Sequence, residues 1–149
     1  MKSLAELATI KDTMQNSVAI REGKESVQSS IKSHVLICGG TGCTSSKSVD
    51  IKNALEAEIE KLGLKDQVKV VLTGCFGLCA LGPIMIVYPE GTFYHNVKIE
   101  DMPEFAFEHL LNGRPVDRLV YHEVKENVSQ AMSLSETAFY KKQKRVALR

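Results

Sequence analysis

The sequence predicts an α/β domain with a central mixed four-stranded sheet in the order β-α-β-β-β-α, an extra N-terminal helix and a C-terminal helical or linker tail. Three observations predict it. Two short apolar runs, His34–Cys38 and Val68–Thr73, flank a segment with helical spacing, which makes a strand–helix–strand unit. A third run, Ile84–Tyr88, continues across Pro89-Glu90-Gly91 into Thr92–Asn96, the pattern of a hairpin. A last segment begins near Asp101 and stops at Asn112-Gly113, as a helix with a glycine end does.

Each element has its own justification. Leu4, Leu7, Ile10, Met14 and Val18 recur at three- and four-residue steps, so the first segment is a helix with one apolar stripe. Glu22-Gly23-Lys24-Glu25 breaks it. The expected use of the stripe is packing on the domain body, and a dimer or subunit contact is the second use. His34–Cys38 is a buried strand stopped by glycines. Ser48 is the expected N-cap of the next helix; Val49, Leu55, Ile59 and Leu62 are its stripe, and Gly63 its C-cap. A crossover of that length makes the flanking strands parallel and the connection right-handed. Asp101 with Glu104 resembles a capping box for the last helix, with Phe105, Leu110 and Leu111 expected inside. Val124, Val128, Met132 and Phe139 are loosely spaced and precede the basic run Lys141–Arg145, so a solvated helical tail is expected. The organisation is a helical extension over 1–30, one domain over 31–120, and a linker over 121–149 leading to a further domain. A βαβ half followed by a ββα half is the element order of a thioredoxin-like core.

Composition narrows the function. The chain has 149 residues, 44% apolar and 25% charged, enough for one packed core. A net charge of +1 leaves no electrostatic footprint for nucleic acid or an anionic membrane. No run approaches the ~18 apolar residues of a membrane span. Charges among the apolar residues of the N-terminus argue against a signal peptide, so the expected location is cytoplasmic. The four cysteines all lie between Cys38 and Cys79. In that compartment such a cluster points to metal or redox chemistry rather than a disulfide framework.

The spacing is Cys38-x4-Cys43, then 31 residues, then Cys75-x3-Cys79. Cys38 ends the first strand and Cys75 follows the second, so parallel pairing brings both loops to one sheet edge and four sulfurs converge. A thioredoxin-type redox pair needs Cys-x-x-Cys, which neither spacing supplies. A Rieske centre needs histidines in the loops, and His34, His95, His109 and His122 lie outside them. All-cysteine zinc remains possible. A 2Fe-2S cluster also takes four cysteines, and its larger core suits wider loops. Gly39, Gly40, Gly42, Gly74, Gly77 and Gly82 crowd these loops and let backbone N–H groups approach sulfur, which favours iron–sulfur while leaving zinc open. The stretch Cys38–Ser48 is not a phosphate loop: aligned on Lys47-Ser48, both required glycine positions hold Thr41 and Ser46. Lys47 is then expected to face solvent.

Cys38-Gly-Gly-Thr-Gly-Cys43 and Thr73-Gly-Cys-Phe-Gly-Leu-Cys-Ala-Leu-Gly-Pro83 resemble the thioredoxin-like 2Fe-2S ferredoxins. Val87–Gly91, Tyr94, Val97 and His109–Val116 continue the resemblance, which covers about residues 31–120. It is nearest to the N-terminal domain of the flavin- and NADH-binding (beta) subunit of electron-bifurcating or NADP-reducing iron-only hydrogenases. That subunit is itself similar to the NADH-binding part of respiratory complex I. Lys142–Arg149 resembles the linker into the flavin domain.

The resemblance implies that Cys38, Cys43, Cys75 and Cys79 ligate one 2Fe-2S cluster. It implies an electron-transfer domain of a multi-subunit NAD(P)H-linked oxidoreductase, with no catalysis of its own and no flavin or NADH site before Arg149. The implied partners are domains or subunits carrying flavin or iron–sulfur clusters, with a homodimer through the N-terminal helix a further possibility. The alternatives are a free-standing ferredoxin of the same fold and a zinc-stapled interaction module. Bland roles are expected elsewhere: Tyr88, Phe93 and Tyr94 as hairpin core and rim, and His109 as a structural histidine. Pro83 precedes a strand, where thioredoxin folds often place a cis proline, and a trans turn proline is the base-rate expectation.

Overall fold

The computed structural model describes residues 3–23, 30–125, 128–131, 133 and 136–143. Strand β1 (Ser33–Cys38) is central. It pairs in parallel with β2 (Val68–Thr73), in a register that runs from Ser33 opposite Val68 to Cys38 opposite Thr73. On its other side lies β3 (Met85–Tyr88), antiparallel, followed by β4 (Thr92–Tyr94). The sheet order is β2-β1-β3-β4, the mixed sheet that the sequence predicts. Gly91, at φ +74, closes the β3–β4 turn by donating its N–H to the carbonyl of Val87 at 2.8 Å.

Strand alternation divides the core. Val35 and Ile37 of β1 face the helical layer with Met85 and Val87. There they meet Ile51, Leu55 and Ile59 of a helix over Ser48–Lys61, and Met102 and Phe105 of the last helix. Leu36 and Cys38 face the opposite side with Ile84, Ile86 and Phe93.

Local details depart from the sequence expectations. A short helix α2 (Thr41–Ser45) forms inside the first cysteine loop, ahead of α3 (Ser48–Lys61). Ser48 is not the cap of α3: Lys47 holds that position in the left-handed region at φ 67, and Ser48 is buried in the first turn. Val49 lies outside the inner stripe, because Ile51, Leu55 and Ile59 define the face that meets the sheet. The last helix opens as a 3-10 turn (Ile99–Asp101), passes through α4 (Met102–Phe105) and continues with π geometry over Ala106–Leu111. The wider π turn brings His109 inside and leaves Leu111 exposed, contrary to the expected inward Leu111. Asp101 caps by accepting the Lys98 N–H at 2.8 Å rather than by pairing with Glu104, whose carboxylate is taken by Arg118. The Gly82–Pro83 bond is cis, the form thioredoxin folds often have before a strand and not the base-rate trans form, and Tyr88–Pro89 is also cis.

Two larger corrections concern the ends. Helix α1 (Leu4–Arg21) forms with a capping box between Ser3 and Glu6, but its stripe does not pack on the domain. Leu4, Leu7, Ile10, Met14 and Val18 are between 40 and 86% exposed. The helix is anchored near its C-terminal end by buried Ile20, which lies on a different face from the stripe, and by Arg21 beside His34. At the other end the expected helical tail is replaced by an antiparallel hairpin of β5 (His122–Lys125) and β6 (Val128–Ala131). Val124 and Val128 are β-branched residues in short runs with no helical stripe, which favours strands. Before the hairpin, Tyr121 donates its N–H to the carbonyl of Phe93 at 2.8 Å, so the chain follows the edge of β4. After it, Ser133 bridges back to Thr92, and a final turn of helix, α5, spans Ala138–Lys141. The expectations for Met132 and for the linker beyond Gln143 fall outside the described residues.

Candidate metal centre

The parallel pairing of β1 and β2 sets the site. Cys38 ends β1 opposite Thr73, and the Gly39 N–H donates to the Thr73 carbonyl at 3.0 Å, so both strands end at the same level. Cys38 is fixed further by its own N–H, which donates to the Ile84 carbonyl at 3.0 Å. Cys43 is carried by α2, which turns the first loop back toward the sheet. Cys75 follows β2, and Cys79 opens a 3-10 turn over Cys79–Leu81. No disulfide joins them; Cys38 and Cys43 are buried, while Cys75 and Cys79 are exposed.

Contacts between the loops are close enough to require glycine. A Cβ on Gly40 would lie 2.8 Å from the Cys75 Cβ and 3.0 Å from its Sγ. A Cβ on Gly82 would lie 2.8 Å from the Cys43 Sγ. Gly40 thus admits Cys75 to the first loop, and Gly82 admits Cys43 to the second. Gly42 and Gly74 meet nothing within 4 Å, so the crowding of glycines has mixed causes. The Gly77 N–H donates to the Cys75 Sγ at 3.3 Å, the backbone-to-sulfur contact expected from glycine in these loops.

The thiols act on one another. Burial pushes the Cys38 thiol up, but the backbone N–H groups of Phe76 and Gly40 and the thiols of Cys43 and Cys75 outweigh it, so Cys38 lies below the ordinary thiol range. Burial, then hydrogen bonding to Cys38, pushes Cys43 up to about 11. Cys79 is raised by its hydrogen bond with Cys75. Hydrogen bonding therefore joins Cys38 to Cys43 and to Cys75, and Cys75 to Cys79. Among the described residues, no group of three or more His, Cys, Asp or Glu side chains forms a ready site for a single metal ion. Leu36, Ile84, Ile86 and Phe93 line the buried side, with Phe76, Leu78, Tyr121 and Tyr140 packed against them. Four thiols in two loops, glycine contacts that let the loops meet and an N–H aimed at sulfur fit a two-iron group.

Of the other residues singled out in the sequence, Phe93 and Tyr88 share the apolar layer that holds Cys38 and Cys43. Lys47 is exposed, as expected. His109 is buried at the far end, its Nδ1 2.7 Å from the Tyr94 hydroxyl. Phe93 and Tyr94 are fully buried and Tyr88 is half-buried, the expected core and rim. Tyr140 was passed over in the sequence: its hydroxyl donates to the Phe76 carbonyl between Cys75 and Gly77. Nothing in the local pattern around it points to that contact.

Four cysteines in two loops at the end of a β2-β1-β3-β4 sheet fit a small iron–sulfur electron-transfer protein of thioredoxin-like fold. The family model of the thioredoxin-like [2Fe-2S] ferredoxins matches residues 3–108, α1 included, and the chain belongs to that family. The chain is 38% identical over 96 residues to "Ferredoxin, 2Fe-2S" of Clostridium pasteurianum, covering 59% of this chain and 94% of that protein. It is 37% identical over 78 residues to "Ferredoxin, 2Fe-2S" of Aquifex aeolicus, covering 50% of this chain and 70% of that protein. The crystal structure of the wild-type thioredoxin-like [2Fe-2S] ferredoxin of Aquifex aeolicus superposes with a TM-score of 0.56 at 33% identity, covering 61% of this chain and 97% of that one. The protein is a 2Fe-2S electron-transfer protein. No described helix is long and apolar enough to cross a membrane.

Proposed function

We propose that Cys38, Cys43, Cys75 and Cys79 are the four ligands of the 2Fe-2S cluster. We also propose that the domain relays single electrons within a multi-subunit NAD(P)H-linked hydrogenase or a related oxidoreductase of the cytoplasm. The observation that supports the ligand set is the meeting of the loops, where Gly40 leaves room for Cys75 and Gly82 for Cys43. When bound, the cluster supplies one-electron exchange. The chain holds it between a rigid, buried pair on the β1 side and an exposed pair after β2. The apolar residues around Cys38 and Cys43 exclude water on one side. The exposed Cys75 and Cys79 give a redox partner its approach on the other.

The oxidoreductase context rests on the resemblance over Cys38–Cys43, Thr73–Pro83 and His109–Val116. A free-standing ferredoxin is the second reading, favoured by relatives of that name that this chain spans over 94 and 70% of their lengths. The exposed stripe of α1 supports a protein contact, with a second copy of the chain as its occupant.

Anaerobic purification, a visible spectrum and electron paramagnetic resonance after reduction test the ligand set. A coloured protein whose reduced signal is altered by serine at each of the four positions supports it. A colourless, silent protein with one zinc sinks it. Isolation from the native host separates the two settings: co-purification with a flavin-containing NADH-oxidising complex supports the first, and an unattached ferredoxin the second.

A further inference from the structure

We infer that Tyr140 is a positioning residue that tunes the cluster through one peptide unit of the second cysteine loop. The inference rests on Cys75 being a ligand. Tyr140, on α5, donates its hydroxyl hydrogen to the Phe76 carbonyl. That carbonyl belongs to the same peptide group as the Gly77 N–H, which donates to the Cys75 Sγ at 3.3 Å. The three groups form a relay: phenol O–H to carbonyl, through the amide, and amide N–H to sulfur. A hydrogen bond accepted at the carbonyl oxygen polarises the amide and strengthens the bond its N–H donates.

The local structure is built for this alignment. Gly77 sits at φ +82, a conformation that a side chain would strain. Tyr140 packs with Phe76 and Leu78 against the apolar layer that holds Cys38 and Cys43, so its hydroxyl is partly shielded from competing water. The tail is brought there by the Tyr121 contact to Phe93, the β5–β6 hairpin and the Ser133 bridge to Thr92. Tyr140 also lies outside residues 3–108, so the contact is added to the matched core from beyond it.

The direction follows from charge. An N–H donated to a ligand sulfur stabilises the more negative, reduced state. Loss of the Tyr140 hydroxyl weakens that bond and lowers the midpoint potential. Polarisation changes a bond of this kind by about a tenth to a third, which gives about a twofold change in the reduced-to-oxidised ratio at fixed solution potential. At 59 mV per tenfold for one electron, that is about 18 mV.

The test is a redox titration of the cluster-loaded protein followed by electron paramagnetic resonance. Tyr140→Phe keeps the ring and removes the donor; its potential is expected to fall by about 18 mV at unchanged iron content. Phe139→Tyr, on the same turn, is exposed and keeps the ring that packs edge-on against Tyr140, and it is expected to leave the potential unmoved. Should Tyr140→Phe load poorly, 3-fluorotyrosine placed at position 140 alone is a stronger donor of nearly the same size and is expected to raise the potential. An unmoved potential in fully loaded Tyr140→Phe, or an equal shift in Phe139→Tyr, overturns the inference. Cys75→Ser separates the two proposals. If Cys75→Ser leaves the spectrum unchanged, the ligand assignment fails; if it alters the spectrum while Tyr140→Phe shifts nothing, the Tyr140 relay alone fails.

Discussion

Replacing Gly40 by alanine isolates the step that brings the two cysteine loops together. Gly40 has φ −64 and ψ 156, which alanine adopts without strain, so the effect of the change is steric. The new Cβ would lie 2.8 Å from the Cys75 Cβ, against an ordinary carbon–carbon contact of about 3.5 Å or more. The loops must separate by about 0.7 Å, several times the roughly 0.2 Å that metal–ligand distances tolerate. The fold itself should suffer less. Cys75 is exposed and its loop can shift, so a cost of about 1 kcal/mol, at the lower end for overpacking, is expected. Gly42→Ala is the matched control, because its Cβ meets nothing within 4 Å in the same loop. Iron and sulfide content after anaerobic reconstitution, and the rate of iron loss to a chelator, are the readouts. Gly40→Ala should load poorly or lose iron several-fold faster, while Gly42→Ala behaves as the parent. Equal loading and equal iron loss in the two variants would refute the idea that Gly40 sets the approach of the loops.

Three further outcomes are expected. Burial, then the charges of Arg21 and Lys69, holds the His34 pKa at about 4 against an ordinary 6.5. The unfolded chain therefore binds this proton more readily; stability falls as pH drops from 6.5 toward about 4 and levels off below, by at most about 3 kcal/mol. Urea midpoints of the parent and His34→Gln across that window should show a flatter curve for the variant, and parallel curves would count against it. Tyr94→Phe leaves both His109 Nδ1 and the Val116 N–H without their shared hydroxyl, and should cost about 1–3 kcal/mol in denaturant unfolding. Glutamate at both Leu7 and Met14 should abolish self-association in sedimentation while shifting unfolding by only about 0.5 kcal/mol, since both side chains are exposed. A parent that is monomeric at every concentration tested would remove the dimer.

The sheet was legible because its strands are short apolar runs bounded by glycine and proline, and the βαβ spacing leaves one parallel pairing. The meeting of the two cysteine loops followed from that topology, since Cys38 and Cys75 sit at matched strand ends. The helix stripes were less legible. Val49 stands six residues before Leu55, about 120° off the face that Ile51, Leu55 and Ile59 share, and the π turn after Ala106 shifts the inward face near Leu111. Spacing also could not show that the α1 stripe has no partner on its own domain, because periodicity reveals an apolar face and not what covers it. The hairpin over His122–Ala131 was missed because a few β-branched residues among charges carry a weak signal until another element offers a place to pack.

The four cysteines occupy unequal settings, and the chain treats the two pairs differently. Cys38 and Cys43 are buried, and Cys38 is bonded into the sheet through Ile84. Their positions follow from packing that the whole core supports. Cys75 and Cys79 are exposed on a loop that leaves an edge strand, so the core alone fixes them weakly. That loop meets the first at Gly40 and Gly82, and the tail holds it through the Tyr140 hydroxyl on Phe76. Perturbations of the first pair should therefore register both at the cluster and as lost fold stability. Perturbations at Gly40 or Tyr140 should register at the cluster, as lability or potential, with the fold largely intact. Under the proposed ligand set the exposed pair is the side a redox partner would approach, and its setting can be adjusted without disturbing the buried side that supports it.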